Sequence, residues 1–134
     1  MPPTATTAYF FLCDHTTEGE CLTRLLVGTT ESNIEWALKI EPGNYIFLYN
    51  FQTGDIWGPF QASSRADCYD RHAWRGKFPV QVRVAKSSSS RKGNLIKARR
   101  NEFLNSRGLR PPHVLEEPLV SGLLSWIVQD GTDF

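Results

Sequence analysis

Tyr69 and Trp74 stand five residues apart in YDRHAWRGKFPVQVRV (Tyr69–Val84), interleaved with Arg71, Arg75 and Lys77. Flat rings beside guanidinium and ammonium groups are what stacking a nucleobase and neutralising its phosphates require. Asp70 suits a different task in that stretch, accepting backbone N–H bonds that orient the loop. A Trp placed just before Arg-Gly-Lys, ahead of a strand-like run, is either a surface offered to a ligand or a plug in the core. Trp36 and Trp57 are further candidate walls, Trp57 because it follows a turn and either lines a pocket or covers a sheet edge.

The charge distribution favours the ligand reading. The 134-residue chain has a formal net charge of only +1, yet Arg71 to Arg110 holds twelve basic residues against the single acid Glu102. Such segregation is the electrostatic footprint of a partner with a phosphate backbone. The expected backbone contacts are Arg71, Arg75, Lys77, Arg91, Lys92, Arg99, Arg100, Arg107 and Arg110. The plainer alternative is a solvated loop whose charges repel one another.

Other chemistries lack their residues. Cys13, Cys21 and Cys68 are odd in number, without a CxxC pair or a histidine at zinc-ligand spacing, so no disulfide framework, metal or cofactor is expected. Cys68 lies near His72 but no orienting third group accompanies them, and no Gly-rich phosphate loop or carboxylate pair appears, so catalysis is not expected. His15, His72 and His113 are far apart and read as surface or capping residues. With no signal-peptide pattern and no long apolar run, the expectation is a soluble intracellular protein, cytoplasmic or nuclear, without membrane contact.

The elements that must position these residues form one small domain. AYFFLC (Ala8–Cys13) reads as a buried strand, and Asp14–Thr17 caps a helix that Gly28 ends. A short helical stretch runs from Ser32 or Asn33 through Trp36 to Ile40. YIFLYN (Tyr45–Asn50) and IWGPFQAS (Ile56–Ser63) form a hairpin around Thr53–Asp55, with Pro59 at an edge or bulge. FPVQVRVA (Phe78–Ala85) alternates, placing Phe78, Val80, Val82 and Val84 inward and Gln81 and Arg83 outward. KSSSSRKG (Lys86–Gly93) reads as a flexible insertion, Asn94–Leu104 as strand or helix, Asn105–His113 as a loop, and Glu117–Pro118 opens a last helix through Trp126 with Leu123 and Ile127 on its apolar side. Residues 1–7 are expected to be a flexible N-terminus, 8–128 the domain and 129–134 a tail. The class is α+β, a curled sheet flanked by helices.

Four stretches, FLYNF (Phe47–Phe51), GPFQASS (Gly58–Ser64), Asp70 with Ala73-Trp74, and FPVQVRV (Phe78–Val84), resemble in order the plant development and cell death (DCD) domain. Trp74-Arg75-Gly76-Lys77-Phe78 also resembles the W-K-G-[KR]-F run of the YTH domain, the reader of N6-methyladenosine in RNA. Both families belong with EVE domains to the PUA-like superfamily. The resemblance implies an open barrel, with Trp74 as one wall of an aromatic cage, Tyr69 at a second cage position, and Asn105-Ser106-Arg107 near backbone contacts. The first cage Trp has no counterpart in Val27-Gly28-Thr29-Thr30, which leaves Trp36 or Trp57 for the third wall. The expected function is a non-catalytic reader of nucleic acid: RNA before DNA, single-stranded and with a modified base. The alternative is a DCD-type module that docks another protein in stress or cell-death-like signalling.

Overall fold

The computed structural model describes residues 7–104 and 112–134. Six strands form one curled sheet, a half-barrel: β1 (Ala8–Cys13), β2 (Leu26–Thr29), β3 (Tyr45–Asn50), β4 (Asp55–Ala62), β5 (Val80–Asn94) and β6 (Val114–Leu115). Their order is β2-β5-β4-β3-β1-β6, with β1 parallel to β3 and every other neighbouring pair antiparallel. Among the described residues three α-helices complete the fold, α1 (Glu18–Arg24), α2 (Ile34–Ala37) and α3 (Leu119–Asp130).

The sheet is buried on both faces, which explains why β1 and β3 are apolar at nearly every position. Tyr9, Phe11, Cys13, Ile46 and Leu48 project into one core with Val82 and Val84. Their neighbours Phe10, Phe47 and Tyr49 project into the other, where α3 supplies Val120, Leu123, Trp126 and Ile127. The pleat keeps the two sets apart, and a bulge in β4 between Gly58 and Phe60 moves its later residues into the first core.

Several expectations need correction. Gly28 does not end α1; Leu25 does, taking a left-handed backbone (φ 51) from which Leu26 enters β2. Lys86–Gly93 is no flexible insertion but the second half of β5. Gly58 pairs with Arg91 and Phe60 with Lys86, so Ser87–Ser90 bulge opposite the single residue Pro59. The hydroxyl of Ser90, 1% exposed, donates to the Pro59 carbonyl at 2.6 Å and supplies the bond that the interrupted ladder lacks. Polar composition here serves the sheet.

Residues 129–134 do not trail away either. Helix α3 continues to Asp130, Thr132 and Lys92 exchange backbone hydrogen bonds, and the Phe134 ring meets Trp57 edge-on at 4.9 Å. Gln81, expected to face outward, is 1% exposed. No helix among the described residues is long and apolar enough to cross a membrane.

Candidate nucleic-acid interface

The loop from Asp67 to Phe78 lies across the first core and is fastened to β5 by Gln81. The Gln81 side-chain oxygen accepts the backbone N–H groups of Tyr69 and Asp70, both at 2.8 Å, and its amide nitrogen donates to the carbonyls of Asp70 (2.7 Å) and Phe78 (3.0 Å). Backbone N–H groups of Asp67 and Gln81 close a further pair of bonds. An amide side chain so used has its donors and acceptor filled, which offsets the cost of burying it.

Asp70 turns the chain inside this loop. One carboxylate oxygen accepts the N–H groups of His72 (2.9 Å) and Ala73 (3.2 Å), the other receives Arg24 at 2.7 Å. The His72 N–H bond, with Arg24 and Ala73 behind it, holds this carboxyl below its ordinary pKa.

Trp74 follows and is 4% exposed. The ring nitrogen donates to the Thr17 carbonyl at 3.2 Å, the backbone N–H donates to Glu20 at 3.0 Å, and Phe78 packs edge-on at 5.3 Å. Gly28 is the floor beneath the ring: a Cβ there would approach Trp74 and Phe78 to 2.7 Å. Trp74 therefore occupies the core, where the stacking reading had placed it against a ligand. Because Trp74, Arg75 and Gly76 are all left-handed (φ 51, 57 and 80), the chain reverses tightly and carries Arg75 and Lys77 back over α1. Left-handed backbone at two consecutive non-glycine residues persists only where surrounding contacts impose it.

All four candidate walls pack in or against the first core, but among the described residues no ring contact joins two of them. Tyr69 is half-buried, donates its hydroxyl to the Arg65 carbonyl at 2.6 Å and lies under the Arg83 guanidinium at 4.8 Å. Trp57 is buried, donates to Glu18 at 3.1 Å and carries the Lys92 ammonium at 4.9 Å. Trp36 is stacked on the His113 ring at 4.8 Å and on Tyr9 at 6.3 Å. Trp57 and Trp74 are buried and Trp36 and Tyr69 are half-buried against the first core, so these rings serve packing, although Trp74 also borders one of the clefts described next.

What does open to solvent are two adjoining clefts that sequence reasoning missed. One, of about 280 Å³, has Leu12, Phe51, Phe78 and His113 among its apolar and aromatic lining, with Asp14, Thr29, Thr30 and Asn33 as polar groups. The other, of about 460 Å³, is lined by Thr16, Thr17, Glu20, Trp74, Arg75 and Lys77. Thr17 and Lys77 line both clefts. The available signal was Lys77-Phe78 next to the capping run Asp14–Thr17, but their proximity depends on the left-handed turn.

The cations divide as well. Arg71, Arg75 and Lys77 lie on the loop over the first core, Lys77 at 3.9 Å from Asp14. Arg91 pairs with Asp133 at 3.3 Å, Lys92 with Asp55 at 3.8 Å and Arg100 with Glu102 at 3.1 Å. Arg99 and Arg100 sit near residues that cover the opposite face, with Arg100 over the Phe103 and Trp126 rings at 5.4 and 5.8 Å. Arg107, Arg110 and the Asn105–Arg107 segment lie outside the described residues. Among the described residues no group of three His, Cys, Asp or Glu is disposed to hold a metal. Burial raises the Cys13 thiol pKa and pushes Cys21 up to about 12, so both remain protonated near neutrality.

Comparison with known proteins gives this arrangement a lineage. The chain is 37% identical over 84 residues to the DCD domain-containing protein NRP-B of Glycine max and to the B2 protein of Daucus carota. Each match takes in 57% of this chain but only 26% and 41%, respectively, of those relatives. The chain thus spans less than half the length of these curated relatives. The fold is similar to the Mmi1 YTH domain in complex with RNA, with a TM-score of 0.67, 17% identity, and coverage of 96% of this chain and 85% of that one. It is also similar to the YTH domain of Zygosaccharomyces rouxii MRB1 in complex with N6-methyladenosine RNA, with a TM-score of 0.59, 14% identity, and coverage of 100% and 96%. Residues 7–97 match the family described as the development and cell death domain, about two thirds of the chain, and the chain belongs to that family.

Proposed function

We propose that this domain binds single-stranded RNA without catalysis, seating one base in the cleft beside β2 and the adjacent phosphates against Arg75 and Lys77. The observation that carries the reading is the junction of the two clefts at Thr17 and Lys77. One side offers Phe51, Phe78 and Leu12 to a flat ring, with Asn33 and the Thr29–Thr30 segment to meet its polar edge. The other side offers cations to a backbone. The RNA-bound YTH domains of similar fold support RNA as the ligand class. The finer reading, that the seated base carries an N6-methyl group, rests on the YTH resemblance and on the methylated RNA in the MRB1 complex. The walls here are phenylalanine, leucine and imidazole in place of the expected Tyr69 and Trp74.

The test is fluorescence anisotropy with short single-stranded RNA, with and without N6-methyladenosine, and with the matching DNA, at low and moderate salt. Affinity is expected to fall as salt rises, RNA to bind more tightly than DNA, and Lys77→Glu to weaken binding about tenfold or more. Asn33→Ala should weaken binding to a given base while the salt slope persists. Absence of binding at low salt, or equal binding by Lys77→Glu, would sink the proposal.

A further inference from the structure

The segment from Glu31 through Leu38 has a face that the fold does not use. Glu31, Ile34, Glu35 and Leu38 stand at i, i+3, i+4 and i+7, so they share one side of this helical stretch. Ile34 is 43% and Leu38 59% exposed, while Ala37 and Ile40 on the other side are fully buried. An apolar pair four apart on a short helix normally faces a core. Here it faces a groove of about 300 Å³ whose far wall is Ala66 and Pro79.

The charges select the occupant. Glu31 and Asp67 line this groove, and among the described residues no lysine or arginine does. The neighbouring Arg65 is turned to Glu41 at 3.3 Å. Such a rim repels the phosphates of RNA, and the same face of a second copy would set like charges against each other. An apolar floor between acids instead fits a short peptide segment with two apolar side chains next to a base.

We propose that this groove docks such a segment of another protein: two apolar side chains flanked by lysine or arginine. The site is separate from the RNA clefts, although the stretch carrying Glu31 and Ile34 also carries Thr30 and Asn33, which line the base cleft on its other side. Both partners can occupy the domain together.

A displayed library of short random peptides, selected on the full chain, tests the idea. Enriched peptides should carry an apolar pair beside Lys or Arg, and Leu38→Asp should weaken them about tenfold or more, as truncated anchors do. Ile34→Ser should act likewise, with both variants keeping the parent melting temperature and RNA affinity. Reversal of charge at Glu31 and Asp67 to lysine should turn the selection toward acidic peptides. A bound peptide should also slow thiol labelling of Cys68, which lines the groove and is exposed. Peptides that bind Leu38→Asp as well as the parent, or that lack basic residues, would overturn the proposal. Self-association of the chain abolished by Leu38→Asp would assign the groove to a second copy and overturn it too.

Discussion

Trp74 rests on Gly28 so closely that a single added methyl at Gly28 would sit 2.7 Å from the indole. The glycine that resembles a helix stop in the sequence is a packing requirement, and the tryptophan above it anchors the cleft. Gly28→Ala should destabilise the domain by about 1–3 kcal/mol through overpacking. On a Trp74→Leu background the same change should cost clearly less. Urea denaturation of the four proteins of this cycle measures the coupling, and additive losses would mean that the two residues do not share the space.

Gln81 is the second anchor. Gln81→Leu keeps the volume but leaves the half-buried N–H groups of Tyr69 and Asp70 without their acceptor, at a cost of about 1–3 kcal/mol. Hydrogen exchange at those two amides should accelerate more than at β3 amides. Uniform acceleration would indicate a global loss with no special hold on the loop.

Arg75 separates stability from binding. Its left-handed backbone favours glycine, so Arg75→Gly should stabilise the domain by about 1 kcal/mol. The same variant should bind RNA more weakly and with a shallower salt slope. Thermal melting and anisotropy titration of one protein preparation read both effects, and a variant that binds RNA like the parent would remove Arg75 from the interface.

Ser87 to Ser90 are four identical residues with unequal roles. Ser90→Ala removes the bond to the Pro59 carbonyl and should cost about 1–2 kcal/mol, whereas Ser88→Ala, at a position open to solvent, should be nearly neutral. Equal melting temperatures for the two variants would refute the bulge-sealing role.

Acid should loosen the loop before the sheet. The Asp70 carboxyl is held below its ordinary pKa chiefly by the His72 N–H, and Asp14 chiefly by the Thr16 hydroxyl. Because both folded pKa values are depressed, their stabilising contribution is complete above the usual aspartate value of about 3.9 and is lost as pH falls through the lower folded values. Urea midpoints followed from neutrality to about pH 2 should therefore fall on the acid side, and Asp70→Asn should flatten that fall. An unchanged acid limb in the variant would remove Asp70 from the linkage.

The strands were legible wherever burial on both faces left an uninterrupted apolar run, as in Ala8–Cys13 and Tyr45–Asn50, and α3 was legible from the spacing of Leu123, Trp126 and Ile127. What stayed hidden depends on partners distant in sequence. Gln81 alternates with Val80 and Val82 as an outward residue would, and only the loop folded over it makes that side an interior. Ser90 is polar because a carbonyl 31 residues away lacks a ladder partner. Trp74 has the composition of a binding surface, and the small size of Gly28, far earlier in the chain, turns it inward. The aromatic residues were therefore visible as chemistry but not as orientation, while the position of Arg75 and Lys77 beside the clefts depends on three successive left-handed residues that no periodicity announces.

The family match ends at residue 97, yet the second core does not. Phe10, Phe47, Tyr49 and Ile56 lie within the matched stretch, but the surface that shelters them is α3, which begins at Leu119. The stretch that matches the family and the stretch that must fold together are thus different lengths of chain. A fragment cut at the edge of the family match would present those four side chains to water, and it would be prone to aggregate before it could bind anything.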